Sequence, residues 1–205
     1  MSPSSRRVKR GFDLAVAIPA LLLSLPLQVV VALAVAVKLG RPVFFKQLRP
    51  GHQGQPFVLI KFRTMLPVDE QRGLIDDASR MTALGRVLRS SSIDELPTLW
   101  NVVAGQMSVV GPRPLLIEYL PLYSPSQARR HEVLPGLTGL AQVRGRNSLA
   151  WHKKLELDVE YVDHQSFLLD LLIMRDTVAA VVRAKGISAD GVETMPVFRG
   201  NGIAE

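Results

Sequence analysis

The longest apolar pattern in the chain runs from Leu14 to Val37 without a charged side chain. Because about 20 apolar helical residues cross the hydrocarbon core of a bilayer, this run predicts a membrane helix. Pro19 and Pro26 interrupt it, and a proline inside a helix removes a backbone hydrogen bond and bends the chain. The pattern leaves two possibilities: one spanning helix, or two short helices, 14–25 and 27–37, that meet at a bend.

Basic residues flank this apolar run on both sides. Arg6, Arg7, Lys9 and Arg10 precede it, and Lys38, Arg41, Lys46 and Arg49 follow it. A spanning helix usually has its Lys and Arg residues on one side, whereas a hairpin with both ends in the cytoplasm has them on both. The charges therefore favour a re-entrant helix-break-helix that bends near Ser24 to Pro26.

Alternating side chains from Phe57 to Met65 predict a β-strand. The alternation sets two groups of residues on opposite faces: Val58, Ile60 and Phe62 on one, and Leu59, Lys61 and Arg63 on the other. Two positive charges on one face suit a phosphate or a lipid headgroup, and they also suit a solvated strand edge. The pattern leaves both interpretations open.

Three later stretches have helical spacing. A short helix is expected at 84–88. A second is expected after a Ser148 cap, with one face formed by Trp151, Leu155, Val159 and Val162. A third is expected over about 167–185, with one face formed by Phe167, Leu171, Met174, Val178 and Val181. The last two are either core helices or helices that lie in the lipid interface. The polar, acidic segment 67–79 predicts a loop.

The stretch from Ser90 to Pro114 carries the candidate chemistry. Asp94 and Glu95 stand at a predicted helix start, and Ser92 has the spacing of a capping box with Glu95. The predicted buried face consists of Leu96, Leu99, Trp100 and Val103, and Gly105 is the predicted stop. The two acids either cap this helix or act in catalysis, because a helix N-terminus favours carboxylates and phosphates alike.

Several cations lie near these acids in the sequence. Pro112 and Pro114 stiffen the backbone on both sides of Arg113, which suits a guanidinium that meets a phosphate bidentately and also suits a rigid, solvated turn. Arg89 ends the short helix and is a second phosphate-binding candidate. The glycine-bearing turn 134–139 could turn its N–H groups to a phosphate or a nucleotide, and Arg146 adds charge close by.

Composition narrows the function classes. The 205 residues carry a net charge of +7 and no cysteine, which excludes a disulfide framework and a thiolate metal site. The basic excess suits nucleic acid, anionic lipid or phosphate substrates, but no nucleic-acid motif accompanies it, so no nucleic-acid partner is expected. We expect a mostly helical, compact α+β domain with a small β element, in which 1–40 is the basic N-terminus with the membrane helix and 41–205 the catalytic domain.

Long, ordered motifs resemble one family over nearly the whole chain. They are Arg49-Pro50-Gly51, Lys61-Phe62-Arg63-Thr64-Met65, Asp94-Glu95-Leu96-Pro97, Trp100-Asn101-Val102, Val110-Gly111-Pro112-Arg113-Pro114-Leu115, Pro135-Gly136-Leu137-Thr138-Gly139 and Gly145-Arg146-Asn147. At these residues the chain is similar to the small monotopic phosphoglycosyl transferases, bacterial sugar transferases that start glycan assembly on a polyprenyl phosphate.

The resemblance implies a fold, a reaction and a place in the cell. It implies a re-entrant membrane helix, interfacial amphipathic helices and a catalytic domain on the cytoplasmic face of the bacterial inner membrane. Asp94 would attack the sugar-linked phosphoryl group of a UDP-sugar, with Glu95 in support and Mg²⁺ held by Asp94, and polyprenyl phosphate would then take the phosphosugar. An N-acetylated deoxy sugar is the expected donor sugar. The implied substrate-binding cations are Lys61, Arg63, Arg89, Arg113 and Arg146.

Two other function classes stay open from the residues alone. One is a membrane-anchored adaptor whose basic face binds nucleic acid or anionic lipid. The other is a hydrolase with the same metal and phosphate site. Release of UMP from a UDP-sugar separates the enzyme from the adaptor, and a requirement for a lipid phosphate acceptor separates the transferase from the hydrolase.

Overall fold

A computed structural model describes residues 3–145, 149–182 and 197–200 of the chain. In these ranges the α-helices are α1 (Pro3–Lys38), α2 (Asp77–Arg80), α3 (Ala83–Ser90), α4 (Leu99–Val103), α5 (Pro125–Ala128), α6 (Leu140–Arg144), α7 (Trp151–His164) and α8 (Phe167–Val182). The strands are β1 (Phe44–Pro50), β2 (Pro56–Phe62), β3 (Ser108–Val110) and β4 (Gly136–Thr138). Mostly helical secondary structure with two small sheets confirms the α+β class.

The N-terminal apolar run forms one continuous helix. α1 passes through both Pro19 and Pro26, so the prediction of two separate helices with a break between them is wrong as secondary structure. At the expected bend the side chains support the helix, because the Ser24 hydroxyl donates to the Leu21 carbonyl at 3.0 Å and accepts from Gln28 Nε2 at 2.9 Å. Among the described helices, α1 is the one long and apolar enough to cross a membrane.

One stripe of α1 packs on the rest of the protein and the other is exposed. The buried positions are Asp13, Ala17, Leu21, Gln28, Val31, Val35 and Leu39, where Leu39 follows the last helical residue. Exposed apolar side chains cover the remaining surface, among them Leu22, Leu23, Leu33 and Val37. A helix that was either wholly buried or a free membrane anchor would not divide in this way.

β1 and β2 form an antiparallel hairpin in which Lys46 faces Ile60 and Leu48 faces Val58. The predicted alternation is confirmed from Phe57 to Leu59, where the face of Leu59 is the buried one, and Phe62 of the other group is buried at the end of the strand. Phe57 and Leu59 are buried, whereas Val58 is 41% exposed. Lys61 shares the Phe57–Leu59 face and therefore points toward the protein interior.

The glycine-bearing turn at 134–139 is a strand rather than a phosphate loop. β4 pairs in parallel with β3, and the Gly136 N–H donates to the Pro112 carbonyl at 2.9 Å. A Cβ at Gly136 would lie 2.1 Å from the backbone nitrogen of Gly111. The glycines thus serve the close approach of two backbone segments, and the expectation that they bind phosphate is wrong for Gly136.

The two C-terminal helices differ in what they bury. α7 is a core helix, since Trp151, Leu155 and Tyr161 are buried. In α8 the stripe predicted from spacing is turned outward, with Phe167 52% and Val178 63% exposed. The buried residues of α8 are instead Asp170 and Ile173, so the alternative of a helix in a lipid interface fits its apolar surface.

Candidate active site

Asp94 and Glu95 lie in a 3-10 helix, Ile93–Thr98, that runs directly into α4. Ser92 has a left-handed backbone (φ 58°) and its side chain caps nothing, so the predicted capping box is wrong. Glu95 does not reach back to it because its carboxylate is bonded to two cations. The predicted stop is confirmed: Gly105 has φ +79° just beyond α4, a conformation that glycine adopts without steric cost.

Buried polar side chains fix β2 against this segment. Asn101 accepts from the Ile60 N–H at 3.2 Å and donates to the Val58 carbonyl at 2.7 Å. Thr98 donates to the Ile60 carbonyl at 2.9 Å. Asn101 is almost fully buried where the predicted apolar face had Trp100, which is 51% exposed. These bonds set Lys61, the next residue of β2, beside the two acids.

Glu95 is held by two of the predicted cations. One carboxylate oxygen, Oε1, accepts from Lys61 Nζ at 2.6 Å and from Arg113 Nη2 at 2.7 Å. The Lys61 and Glu95 side chains are 17% and 19% exposed, and Arg113 is 43% exposed. Burial alone would raise the pKa of Glu95, but the charges of Arg113 and Lys61 outweigh it and hold that pKa well below its usual range. Glu95 is therefore a fixed anion near neutral pH.

Asp94 has the opposite environment. Its side chain is buried, with 8% of the residue exposed, and within the described ranges no hydrogen bond or ion pair holds its carboxylate. Burial, and next the negative charge of Glu95, raise the pKa of Asp94 to about 6, against the weaker influence of Lys61, Arg113 and Arg89. The carboxylate is thus ionised near neutral pH but unusually basic, which suits a nucleophile.

Arg89 lies close enough to Asp94 to influence its charge, as predicted, but its guanidinium is fixed from the other side. Nε donates to the Thr64 hydroxyl at 3.1 Å, and Nη2 lies 3.5 Å from the Met65 sulfur. The remaining donors of the planar fork are available to a ligand.

A buried ion pair that sequence reasoning missed supports Arg113 from behind. Arg130 donates to Asp158 Oδ2 from Nε at 3.0 Å and from Nη2 at 2.7 Å, and Nη2 also donates to the Arg113 carbonyl at 2.6 Å. Both side chains are almost fully buried. Arg130 stands in an ordinary basic turn and Asp158 on a helix 28 residues later, so no local pattern could have paired them.

One predicted cation, Arg63, is not brought to this site. Arg63 is bonded to the carbonyls of Leu39, Gly40 and Arg41 at the end of α1, so it holds the helix terminus. It also leaves the face that it was predicted to share with Lys61. Arg146 lies outside the described residues. The structure therefore assembles Asp94, Glu95, Lys61, Arg89 and Arg113.

A cavity of about 570 Å³ opens beside these residues. Glu95, Arg89 and Arg113 line one part of it. The rest is mostly apolar and is formed by α1, α4, α6, α7 and α8, with Val16, Ala20, Leu99, Val109, Met174 and Val178 among its walls. The cavity thus joins a charged end to an apolar passage next to the exposed surfaces of α1 and α8.

A divalent cation has few protein ligands here. In the part of the chain that the structure describes, no three acidic or histidine side chains cluster as a metal site. Mg²⁺, however, is commonly bound by one or two carboxylates together with substrate phosphates and water. The Asp94 carboxylate, buried and without an ion pair, fits that smaller requirement.

Comparison with known proteins gives one family. The family model described as bacterial sugar transferase matches residues 4–184. The protein named uncharacterized sugar transferase EpsL of Bacillus subtilis is 52% identical over 95% of this chain and 97% of its own length. Exopolysaccharide production protein ExoY of Rhizobium meliloti is 37% identical over 90% of this chain and 89% of its own. The UDP-glucose:undecaprenyl-phosphate glucose-1-phosphate transferase of Caulobacter vibrioides is 39% identical over 85% of this chain and 69% of its own length.

Proposed function

Because the chain belongs to the bacterial sugar transferase family, we propose that it transfers a phosphosugar from a UDP-sugar to a polyprenyl phosphate. The products are a polyprenyl diphosphosugar and UMP, and the reaction starts the assembly of a polysaccharide on the membrane. Relatives named for UDP-glucose and undecaprenyl phosphate support both substrates. The observation that carries the proposal is the buried Asp94 carboxylate, which has no ion pair with any described residue yet is influenced by the charges of Lys61, Arg113 and Arg89.

The geometry supports a covalent route in two steps. An Asp94 oxygen attacks the phosphorus that bears the sugar, and the bond from that phosphorus to the UMP oxygen breaks with its electron pair leaving on UMP. The resulting acyl phosphate is then attacked by an oxygen of the polyprenyl phosphate, which restores the Asp94 carboxylate. Covalent catalysis of this kind lets two anionic substrates use one site in turn.

Glu95 acts in this route through the cations rather than as an acid or base. Its pKa is held far below neutral and its Oε1 already accepts two hydrogen bonds. By fixing Lys61 and Arg113 it aims their charges at the reacting phosphates, and such preorganised charge stabilises a phosphoryl-transfer transition state. Its negative charge also keeps Asp94 basic.

Mg²⁺ belongs to the proposal as a cofactor held by Asp94 and the substrate phosphates. When bound, the ion would screen the charge of the diphosphate. Asp94 is suited to hold it because the Glu95 Oε1 atom is already bonded to Lys61 and Arg113, which leaves Asp94 as the carboxylate without a cation of its own.

The apolar cavity supports a lipid acceptor. A polyprenyl phosphate needs a charged end for its phosphate and an apolar surface for the first isoprene units, and the 570 Å³ cavity offers both. A hydrolase would need only water at this position. The cavity therefore favours transfer over hydrolysis.

The donor sugar is proposed as glucose or galactose, without an N-acetyl group. Relatives named for a sugar act on UDP-glucose or UDP-galactose, and none of the names supports the N-acetylated deoxy sugar expected from the sequence. A panel of UDP-glucose, UDP-galactose and UDP-N-acetylated deoxy sugars, each with undecaprenyl phosphate, identifies the donor by UMP release.

We place the catalytic portion on the cytoplasmic face of the inner membrane, where nucleotide sugars are made, and retain the re-entrant path of α1 as a proposal. Cysteines introduced at Ser5 and near Arg41 should then both resist a membrane-impermeant thiol reagent in intact cells. Labelling of the Ser5 cysteine from outside would show that α1 spans the bilayer.

The central experiment follows the covalent adduct. Purified enzyme with Mg²⁺ and UDP-sugar, without lipid, should gain the mass of one phosphosugar on Asp94 and release one equivalent of UMP. Asp94→Asn should be folded and form neither, whereas the control Asp77→Asn, at a partly exposed residue that lines neither cavity, should behave as the wild type. Turnover at the wild-type rate by a folded Asp94→Asn protein would exclude Asp94 as the nucleophile.

A further inference from the structure

A second, smaller cavity lies against the Glu95–Arg113 ion pair and adjoins the apolar one, with which it shares Glu95, Arg113, Leu115 and Leu137. Its volume is about 70 Å³. Its charged lining consists of Arg49, Lys61, Arg113 and Glu95, and Thr98 adds a hydroxyl. This volume exceeds the roughly 10–15 Å³ that a single water molecule needs, so the cavity has room for a small anionic group such as a phosphate.

The charges in this cavity do not cancel. Three cations face one carboxylate, which leaves a net charge of +2. Glu95 is already bonded to Lys61 and Arg113. Within the described ranges, Arg49 has no ion pair, so it is the cation whose charge an incoming anion would meet.

The Arg49 guanidinium is positioned but incompletely bonded. Nη2 donates to Gln47 Oε1 at 2.6 Å, and Nη1 makes only a long contact of 3.4 Å with the Pro114 carbonyl. Its Nε is buried without a hydrogen-bond partner. A buried N–H group of a cation is unfavourable unless an acceptor meets it, and an anionic oxygen is the acceptor it binds most strongly.

We propose that this cavity binds the phosphate of the departing nucleotide and that Arg49 is one of its donors. The inference rests on the proposed function. The sugar-bearing phosphorus must lie at Asp94, which lines neither cavity but precedes Glu95, a wall of both. The acceptor phosphate enters with its chain through the apolar cavity. The phosphate left for the small cavity is the one that remains on UMP.

The charge of the leaving group matches the cavity. When Asp94 bonds to the sugar-bearing phosphorus, the broken P–O bond leaves its electron pair on the nucleotide phosphate, which becomes a monoester. Such a group carries about −1.5 to −2 at neutral pH. Because this charge develops during bond breaking, a fixed positive cavity stabilises the transition state as well as the product.

The test compares UMP with uridine, which differ only by the phosphate. Calorimetric titration of the full chain in nanodiscs measures both affinities for the wild type, Arg49→Gln, Arg49→Lys and the control Lys46→Gln. Lys46 lies on the same strand with an exposed side chain and does not line either cavity. Arg49→Gln should weaken UMP binding about tenfold or more, the effect of losing a hydrogen bond to a charged group, and leave uridine binding unchanged.

Each outcome decides the matter. A wild-type ratio of UMP to uridine affinity in Arg49→Gln, or equal weakening of both ligands, overturns the proposal, as does a wild type that binds uridine as tightly as UMP. If Arg49→Gln does not fold, Arg49→Lys gives the same ratio, because an ammonium cannot replace the planar fork. A wild type that releases no UMP from UDP-sugars contradicts the proposed reaction, while the affinity ratio still tests the phosphate site.

Discussion

The ion pair between Lys61 and Glu95 should be worth several times more than a surface pair of the same length. Its N···O distance is 2.6 Å, and both side chains are less than one-fifth exposed. Arg129 and Asp163 make a pair at 2.5 Å with 41% and 42% of the side chains exposed, which provides a matched control. The buried pair is less exposed to solvent than the control, and each pair has one further charged partner, Arg113 on Glu95 and Glu132 on Arg129.

Double-mutant cycles in the free energy of unfolding measure both coupling energies. Lys61→Met with Glu95→Gln should give about 1.5–3 kcal/mol, the range for a hydrogen bond between charged groups shielded from water. Arg129→Met with Asp163→Asn should give about 0.2–1 kcal/mol, as exposed pairs do. The single change Glu95→Gln should lower the free energy of unfolding by more than the coupling energy, since it also leaves Arg113 without its carboxylate.

The pH dependence adds a check on the same cycle. Because the pKa of Glu95 in the folded protein is held well below its usual range, the carboxylate stays ionised at pH 5. The stabilisation is present above the pKa of the unfolded state and is lost only as pH falls through the lower folded value. Equal couplings for the two pairs, or a Lys61–Glu95 coupling that disappears at pH 5, would refute the assignment of Glu95 as a buried, fixed anion.

Three further changes test other parts of the structure. Arg113→Lys should lose about 1.5–3 kcal/mol of transition-state stabilisation in kcat/KM, and an unchanged value would make Arg113 purely structural. Burial, and next the charge of Arg130, lower the pKa of His131 to about 4. The unfolded state therefore binds the proton first, and the free energy of unfolding falls as pH drops from about 6.5 to 4. In chemical denaturation the wild type should lose about 3 kcal/mol more than His131→Gln over that pH range, and parallel curves for the two proteins would contradict this. Gly136→Ala should lose about 3 kcal/mol of stability because its Cβ meets the Gly111 backbone, whereas Gly11→Ala, with open space around it, should lose nothing.

Local patterns in the sequence predicted several of the elements but not their orientation. The predicted helix at 84–88 is α3, and the predicted strand is β2, ending three residues earlier than expected. Alternation defines two faces of a strand, but the packing partner decides which one is buried. Here Asn101 and Thr98 bind the backbone of β2 and bring Leu59 and Lys61 inward.

The outward stripe of α8 has the same kind of cause. Spacing grouped its large apolar residues and left open whether they face the core or the lipid interface. Asp170 is buried instead because Lys9 Nζ lies 2.6 Å from it and the Tyr161 hydroxyl donates to it at 2.7 Å. Lys9 is 161 residues from Asp170 in the sequence, so no window around α8 contains the cation that turns the helix.

At the site, the carboxylates and the nearest cations could be predicted, whereas their division of roles could not. Adjacent acids look alike in a sequence. The structure separates them by giving Glu95 two cations and Asp94 none, and that difference moves their pKa values in opposite directions. Arg49 appeared in the sequence as part of a basic flank and of the motif Arg49-Pro50-Gly51, and its place beside the Glu95–Arg113 pair depends on the β1–β2 hairpin.

The basic cluster before the apolar run has a second use that bears on the path of α1. Arg6 and Arg7 are exposed, but Lys9 pairs with Asp170, and Arg10 donates to the Val102 and Val103 carbonyls at 2.6 and 2.8 Å. These bonds, together with those of Asp13 to Ser108 and Val109, hold the start of α1 against the catalytic portion. If the start of α1 crossed the bilayer, buried Asp170 would lose its cation and the carbonyls at the end of α4 their donor. The packing of the folded protein therefore favours the same topology as the positive charges do, with both ends of α1 on the side of Asp94.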